Sequence, residues 1–298
     1  MKKLGIIIVT YNSEKDIYDC IGSIKKWADI PQDEIELIVV DNNSSGCDTM
    51  FERLKTMWDG IVLIKNSTNG GYGQGNNLGI RQCSAPVVLI MNPDVRLLEP
   101  TFKKPLDAFA ADSRLCIYGM KQMLTENEPS PYPFTCTYMM NGYVSTLLAA
   151  VCTRLDIYIQ KYMHFSGSCF FINKAMFEAV GLFDESVFLY GEEDDIHYRL
   201  MHRFSDCRMT YDKHLHYIHL IKEREPDLAY EKKLVDVAVV QNLKKGYSEH
   251  DTLKNRLRKL RILIFRERLH SLTGRKNEKV LAMLTGLRQY VVQKMKSH

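Results

Sequence analysis

The stretch Leu4-Gly-Ile-Ile-Ile-Val-Thr-Tyr-Asn12 sets the reading of the whole chain. Its β-forming run, Leu4 to Thr10, has a charged start and a polar stop, as a buried strand does. A helical pattern follows at once, Ser13 to Trp27, with Ser13 at the N-cap, Asp16 in the first turn, and Ile17, Cys20, Ile21 and Ile24 on one face. The alternation then repeats. Strands are predicted at Glu36 to Val40, Ile61 to Lys65 and Val87 to Met91, with helices at Cys47 to Met57 and from Tyr72 to Gln82. Strands separated by helices of this length imply right-handed βαβ units and a mostly parallel sheet. Further on, Ser166 to Ile172 reads as a strand, Lys174 to Val180 as a helix and Met209 to His219 as a last strand. From Asp227 the text is helical and basic.

Composition narrows the class. The 298 residues are 45% hydrophobic and 26% charged, which excludes general disorder, collagen and a coiled-coil rod. The longest apolar runs are about five residues, too short to span a bilayer. The start, Met-Lys-Lys-Leu-Gly, runs into a strand without a cleavage site, so no signal peptide is expected. Eight cysteines without a Cys-x-x-Cys pair disfavour zinc ribbons and redox motifs, and make a reducing cytosol the default. Charge is uneven: Lys222 to His298 holds 19 Lys and Arg against 9 Asp and Glu, and the rest holds 21 against 27. Two regions are therefore expected, residues 1–221 and a basic helical extension, 222–298.

Ligands of open parallel sheets bind at the carboxyl ends of the strands. Here those ends read Thr10-Tyr11-Asn12, Asp41-Asn42-Asn43-Ser44 and Asn92-Pro93-Asp94. Turns and helix caps explain any one such cluster; three on one edge point to a site. The segment Asn69 to Gly79 holds five glycines in eleven residues, suited to close approach by a ligand or to a flexible loop. It matches neither a dinucleotide fingerprint nor a P-loop. Asp94 is a candidate ligand for Mg²⁺ or Mn²⁺. Glu192-Glu193-Asp194-Asp195 after an apolar run is either a solvated helix start or a source of a general base. On a regular strand His214 and His216 share a face and His219 lies opposite.

These pieces, in this order, resemble family 2 glycosyltransferases of the GT-A fold, especially the bacterial rhamnosyltransferase-like branch. The matching text is Val9 to Asn12, Val40 to Ser45, Asn69 to Gly79, Met91 to Val95, Ser166-Gly167, Gly181 to Glu185 and Phe188 to Asp195. The resemblance implies an α/β fold with a Rossmann-like sheet and an inverting transfer from a UDP- or dTDP-linked sugar to a glycan or lipid-linked glycan. It places Thr10, Tyr11, Asn12, Asp41 and Asn43 at the nucleoside, with Asp41 accepting the imide N–H of the base. Asn69, Gly70, Gly75, Asn76 and Asn92 would lie along the nucleotide-sugar. Asp94 and His219 would hold Mg²⁺ or Mn²⁺, with His216 the alternative to His219. Glu193 falls at the base position, flanked by Glu192 and Asp195. Asn92 replaces the first acid of the metal motif, and Glu193 is one methylene longer than the usual Asp.

The rival reading is a catalytically silent nucleotide-binding or scaffold protein. No nucleic acid is expected as a partner. The tail helix, Thr252 to Ser271, sets Leu253, Leu257, Leu260 and Ile264, extended by Phe265 and Leu269, against Lys254, Arg258, Arg261 and Arg268. That pattern suits attachment to the anionic inner face of a membrane, packing on the body, or a homodimer contact. Cytoplasmic residence, peripheral on that membrane, is the expectation that follows.

Overall fold

A computed structural model describes residues 1–131, 133–136, 141–220, 225–272 and 277–297, without the side chains of 271 and 272. The first half runs β1 (Leu4–Thr10), α1 (Glu14–Trp27), β2 (Ile35–Asp41), α2 (Cys47–Met57), β3 (Val62–Lys65), α3 (Gly71–Gln82), β4 (Val87–Met91), β5 (Val95–Leu97), α4 (Lys103–Ala111) and β6 (Leu115–Met123). The second half runs β7 (Phe134–Cys136), α5 (Gly142–Leu155), β8 (Met163–Phe165), β9 (Cys169–Asn173), α6 (Lys174–Ala179), α7 (Glu192–Arg203), β10 (Arg208–His219), α8 (Leu228–Lys244), α9 (Glu249–Leu272) and α10 (Glu278–Lys296). The chain divides into two compact units, Met1–Pro133 with His164–Ile221, and Phe134–Met163 with Lys222–His298.

The first unit holds an eight-stranded sheet in the order β3-β2-β1-β4-β9-β6-β10-β5. Four pairings are parallel, and β9 runs antiparallel between β4 and β6. One face of β1 (Leu4, Ile6, Ile8) packs in a cluster with Ile17, Ile21 and Ile24 of α1, all fully buried. The expected periodicities of β1 and α1 therefore meet in one core. On the opposite face α3 lies close to the sheet. A Cβ on Gly79 would meet Ile7 at 2.5 Å, and one on Gly75 would meet Val9 at 2.7 Å. These two glycines serve close helix–sheet packing.

The register gathers the strand ends. Thr10 pairs with Asp41, Met91 with Cys169, and Val95 with His219. One sheet edge thus collects the three Asn-containing clusters, the start of β9 and the end of β10. In β10 a register shift between Asp212 and His216 breaks the simple alternation. His216 turns to Glu99, Nδ1 to Oε1 at 2.7 Å, while His219 reaches Asp94. The shift lies before His216, and from His216 to His219 the pairing is regular, so these two face opposite ways, as a regular strand requires.

The second unit has its own core. Leu253, Leu260 and Ile264 of α9 are buried with Val235 and Val239 of α8 and Leu284, Leu287 and Val291 of α10. The apolar side of α9 expected at a membrane is thus largely used up inside the helical unit; only Phe265 and Leu269 of the set are exposed. The boundary expected from the sequence was 221/222. It falls among undescribed residues, and the helical unit also takes 134–163. The reason is α5, an apolar helix without strand signals, whose Gly142 lies against Asn255 and Arg258 of α9. All eight cysteines are free and buried.

Candidate functional site

The site is built from the edge where β1, β2, β4 and β10 end. At the first corner Asp41 is fully buried at the end of β2. Its Oδ1 accepts from the Thr10 hydroxyl at 2.9 Å and the Ser44 hydroxyl at 2.7 Å, and its Oδ2 accepts from the Ser44 N–H at 2.7 Å. The Ser44 hydroxyl in turn accepts from the Asn12 N–H at 2.8 Å. Asp41 and Thr10 therefore fasten two loops together and are closed to solvent, where the sequence expectation had them line a pocket. What faces outward is Tyr11, 52% exposed, with Asn12 and Asn43, whose backbones both take positive φ.

The glycine segment begins α3. Asn69 accepts from the Gly71 N–H, and Gly71, at φ +84°, has no room for a side chain because a Cβ would lie 2.0 Å from the Phe188 carbonyl. The Tyr72 N–H donates to that same carbonyl. A Cβ on Gly70 would meet the side-chain amide of Gln74. Asn77 of α3 is fully buried, bonding both backbone groups of Phe183 and the carboxylate of Glu185. Glu185 also pairs with Arg81, and the Asn77 bond is the main cause that holds its carboxyl below the usual range. The acid-bearing loop is thus tied to α3 by an amide that the sequence gave no cause to single out.

The acids separate by environment. Asp195 is clamped by Arg199, which also donates to the Leu182 carbonyl at 2.6 Å. Asp195 thus stands in an ion pair that ties α7 to the Leu182 backbone through Arg199. Glu192 is 2% exposed, and its Oε1 has no hydrogen-bond partner. Burial first, and the Glu193 charge second, push its carboxyl up to about 8. Glu193 is half-buried, with its carboxylate against Gly167, where a Cβ would stand 1.9 Å from Oε1. The Tyr72 hydroxyl donates to the Gly167 carbonyl at 2.6 Å. Its proton is held by burial and by the charges of Glu193 and Glu192.

From Gly167 the contacts lead to the second corner. The Ser168 carbonyl accepts from the Asn92 N–H at 2.8 Å, and the Ser168 hydroxyl lies 2.9 Å from that of Tyr217. Buried Gln122 bonds Ser168, Tyr217 and, at 3.4 Å, His219 Nδ1. The other ring nitrogen, Nε2, lies 3.4 Å from Asp94 Oδ1, a buried oxygen with no hydrogen-bond partner. Asn76 of α3 likewise keeps a buried, unpartnered Oδ1. Among the described residues no group of three or more His, Cys, Asp or Glu comes together. Asp94 and His219 form a two-donor pair.

Of the sequence candidates, Asn92, Asp94, His219 and Glu193 are linked through the Gly167-Ser168 turn. Tyr72 and Ser168 lay within or beside quoted motifs. Gln122 lay on β6, a strand the text did not reveal because its centre, Leu115 to Met123, is buried on both faces without alternation.

Comparison with known proteins places this edge in context. The model of the family described as glycosyl transferase family 2 matches residues 5–181. A low-salt glycan biosynthesis hexosyltransferase of Haloferax volcanii, Agl10, is 30% identical over 203 residues, 66% of this chain and 61% of that protein. An N-acetylglucosaminyl-diphospho-decaprenol L-rhamnosyltransferase of Mycobacterium tuberculosis is 24% identical over 221 residues, 66% of this chain and 70% of that protein. The chain therefore spans less than two thirds of the Haloferax relative. Among solved structures, the mannosyltransferase PcManGT of Pyrobaculum calidifontis, in complex with GDP-Man and Mn²⁺, aligns with a TM-score of 0.62. That alignment has 13% identity and covers 98% of this chain and 87% of that one. Residues 1–349 of S. aureus TarS with UDP align at 0.56, with 18% identity, over 90% and 72% of the chains. These neighbours share the GT-A fold.

Proposed function

Because the chain belongs to glycosyl transferase family 2, we propose that it transfers a sugar, with inversion, from a UDP- or dTDP-linked donor to a hydroxyl of a glycan or lipid-linked glycan. The relatives named above act in glycan assembly, which supports that acceptor class. The observation that carries the reading is the seating of Glu193 on Gly167, one turn from the Asp94–His219 pair.

An acceptor hydroxyl is a poor nucleophile at neutral pH until a base takes its proton as the new bond forms. Glu193 is assigned that step. Asp195 is occupied by Arg199, and Glu192 is held protonated at neutral pH by burial. A neutral Glu192 spares Glu193 a second adjacent charge. One base and one displacement give inversion; the two-carboxylate covalent route is not needed. On the donor side Tyr11, Asn12 and Asn43 are exposed at the loop tips and are assigned to the nucleoside, with Asp41 and Thr10 fixing those loops.

The donor set also fits a divalent cation. A buried, unpartnered carboxylate oxygen facing an imidazole nitrogen offers the oxygen and nitrogen ligands that Mg²⁺ and Mn²⁺ accept. Asp94 and His219 would hold it, leaving further positions to the donor's phosphates, and the bound ion would offset charge on the leaving diphosphate.

A panel of UDP-, dTDP- and GDP-sugars tests the proposal, read first by thermal shift and then by release of nucleoside diphosphate without acceptor. A binding donor that is slowly hydrolysed supports it. Binding without hydrolysis, unchanged by Glu193→Gln, favours the scaffold reading.

A further inference from the structure

The helical unit carries a surface that sugar transfer does not use. On α5 the solvent side is the apolar side. Val144, Leu147, Val151 and Leu155 are 51, 67, 45 and 58% exposed at spacings of three and four. Tyr143 and Ile157 prolong the row, and α5 contains no acidic residue. An ordinary surface helix is arranged the other way, with its apolar stripe inward. A contiguous exposed apolar row marks an interaction surface.

Its flank is cationic. On α9, Lys254, Arg261 and Arg268 share one side with exposed Phe265 and Leu269. The two helices meet at Tyr143, whose hydroxyl accepts from Arg261 Nη1 at 3.2 Å and whose ring lies 6.0 Å from the Arg258 guanidinium. Arg261, Arg268 and Arg288 line one cleft with Phe265 and Thr285. The whole unit holds 21 Lys and Arg against 10 Asp and Glu.

We propose that this face docks on an anionic lipid bilayer, with the α5 row entering the interfacial layer and the α9 arginines meeting headgroup phosphates. The pairing of an apolar row with a basic border is what such an interface selects. A second copy of this chain, seated symmetrically on the same face, would bring one strongly basic surface against another, which like-charge repulsion opposes. The inference relocates membrane contact from the α9 apolar side, which is buried, to α5. It does not rest on the sugar-transfer reading.

The full chain is mixed with phosphatidylcholine vesicles containing or lacking phosphatidylglycerol, and sedimented. Binding to the anionic vesicles, weakened by salt, is expected. The double change Leu147→Glu with Val151→Glu is expected to abolish it. Arg261→Glu with Arg268→Glu is expected to weaken it by roughly fivefold or more per position and to flatten the salt dependence. Nucleotide-donor binding and the helical circular dichroism signal verify that each variant is folded. Binding that survives Leu147→Glu with Val151→Glu in a folded protein overturns the proposal. So does a chain that ignores anionic vesicles while the same variant converts a dimer to a monomer, which assigns the face to a second copy.

Discussion

Gly167 and Glu193 fit each other as a space and its occupant: a Cβ on the glycine would lie 1.9 Å from the Glu193 Oε1. The carboxylate position assigned to the base therefore depends on a missing methyl group in the turn before β9. Gly167→Ala has to displace Glu193 or the turn, because the clash is with the reactive end of the side chain. Sugar transfer is expected to fall on the order of 10²–10⁴-fold, as for Glu193→Gln, since each removes a positioned base. Donor affinity, measured by calorimetry, should stay near wild type in both. Wild-type turnover in Gly167→Ala would show that the observed seat of Glu193 is not the working one.

The Asp94–His219 pair predicts a cation response that does not depend on turnover. Mn²⁺ should raise the affinity for UDP or dTDP in the parent protein, and Asp94→Ala should remove that increment. His219→Ala should reduce it, whereas His216→Ala, which disturbs only the pairing with Glu99, should leave it intact. Equal nucleotide affinity with Mn²⁺ and with excess EDTA would refute the assignment.

Glu192 predicts a pH dependence of stability with a definite sign. Its native carboxyl titrates near 8, above the usual value of 4.5, so the native state binds this proton more tightly than the unfolded chain. The associated stability is complete below about pH 4.5 and is lost as pH rises toward and through about 8. Glu192→Gln cannot ionise and should escape that loss. Urea midpoints of the two proteins should diverge from about pH 5 to about pH 9, with the variant the more stable at the alkaline end. Parallel midpoints would mean that Glu192 ionises normally in the folded protein.

Asp41→Ala tests whether the nucleoside loops need their fastening. The change removes the carboxylate that accepts from the Thr10 and Ser44 hydroxyls and the Ser44 N–H. Hydrogen bonds to a buried carboxylate contribute about 1.5–3 kcal/mol each. Weaker UDP and dTDP binding is expected together with lower thermal stability. Loss of stability alone, at unchanged nucleotide affinity, would confine Asp41 to a structural role.

Much of the strand-end edge was legible in the text. Leu4 to Thr10 and Val87 to Met91 are short apolar runs stopped by polar clusters, and strands so bounded bring their ends to one edge whatever the rest of the chain does. Glu193 and Asp94 were singled out from motif order. The roles of their neighbours were not. The glycine segment reads as a ligand cradle, yet Gly71, Gly75 and Gly79 admit the Phe188 carbonyl, Val9 and Ile7.

Local sequence thus determined the alternation of strands and helices, the sheet edge and the acid cluster, because hydrophobic period and turn chemistry act over neighbouring residues. Tertiary structure alone decided how three of the four acids are held. Arg199 takes Asp195, burial keeps the proton on Glu192, and Gly167 seats Glu193. It also decided that His219 and not His216 meets Asp94, by pairing His219 with Val95 next to that acid. On α9 the apolar positions Leu253, Leu260 and Ile264 went inward, while α5 kept its row outside. An amphipathic pattern states that a face must be covered; only the packing of the other helices determines which face already is.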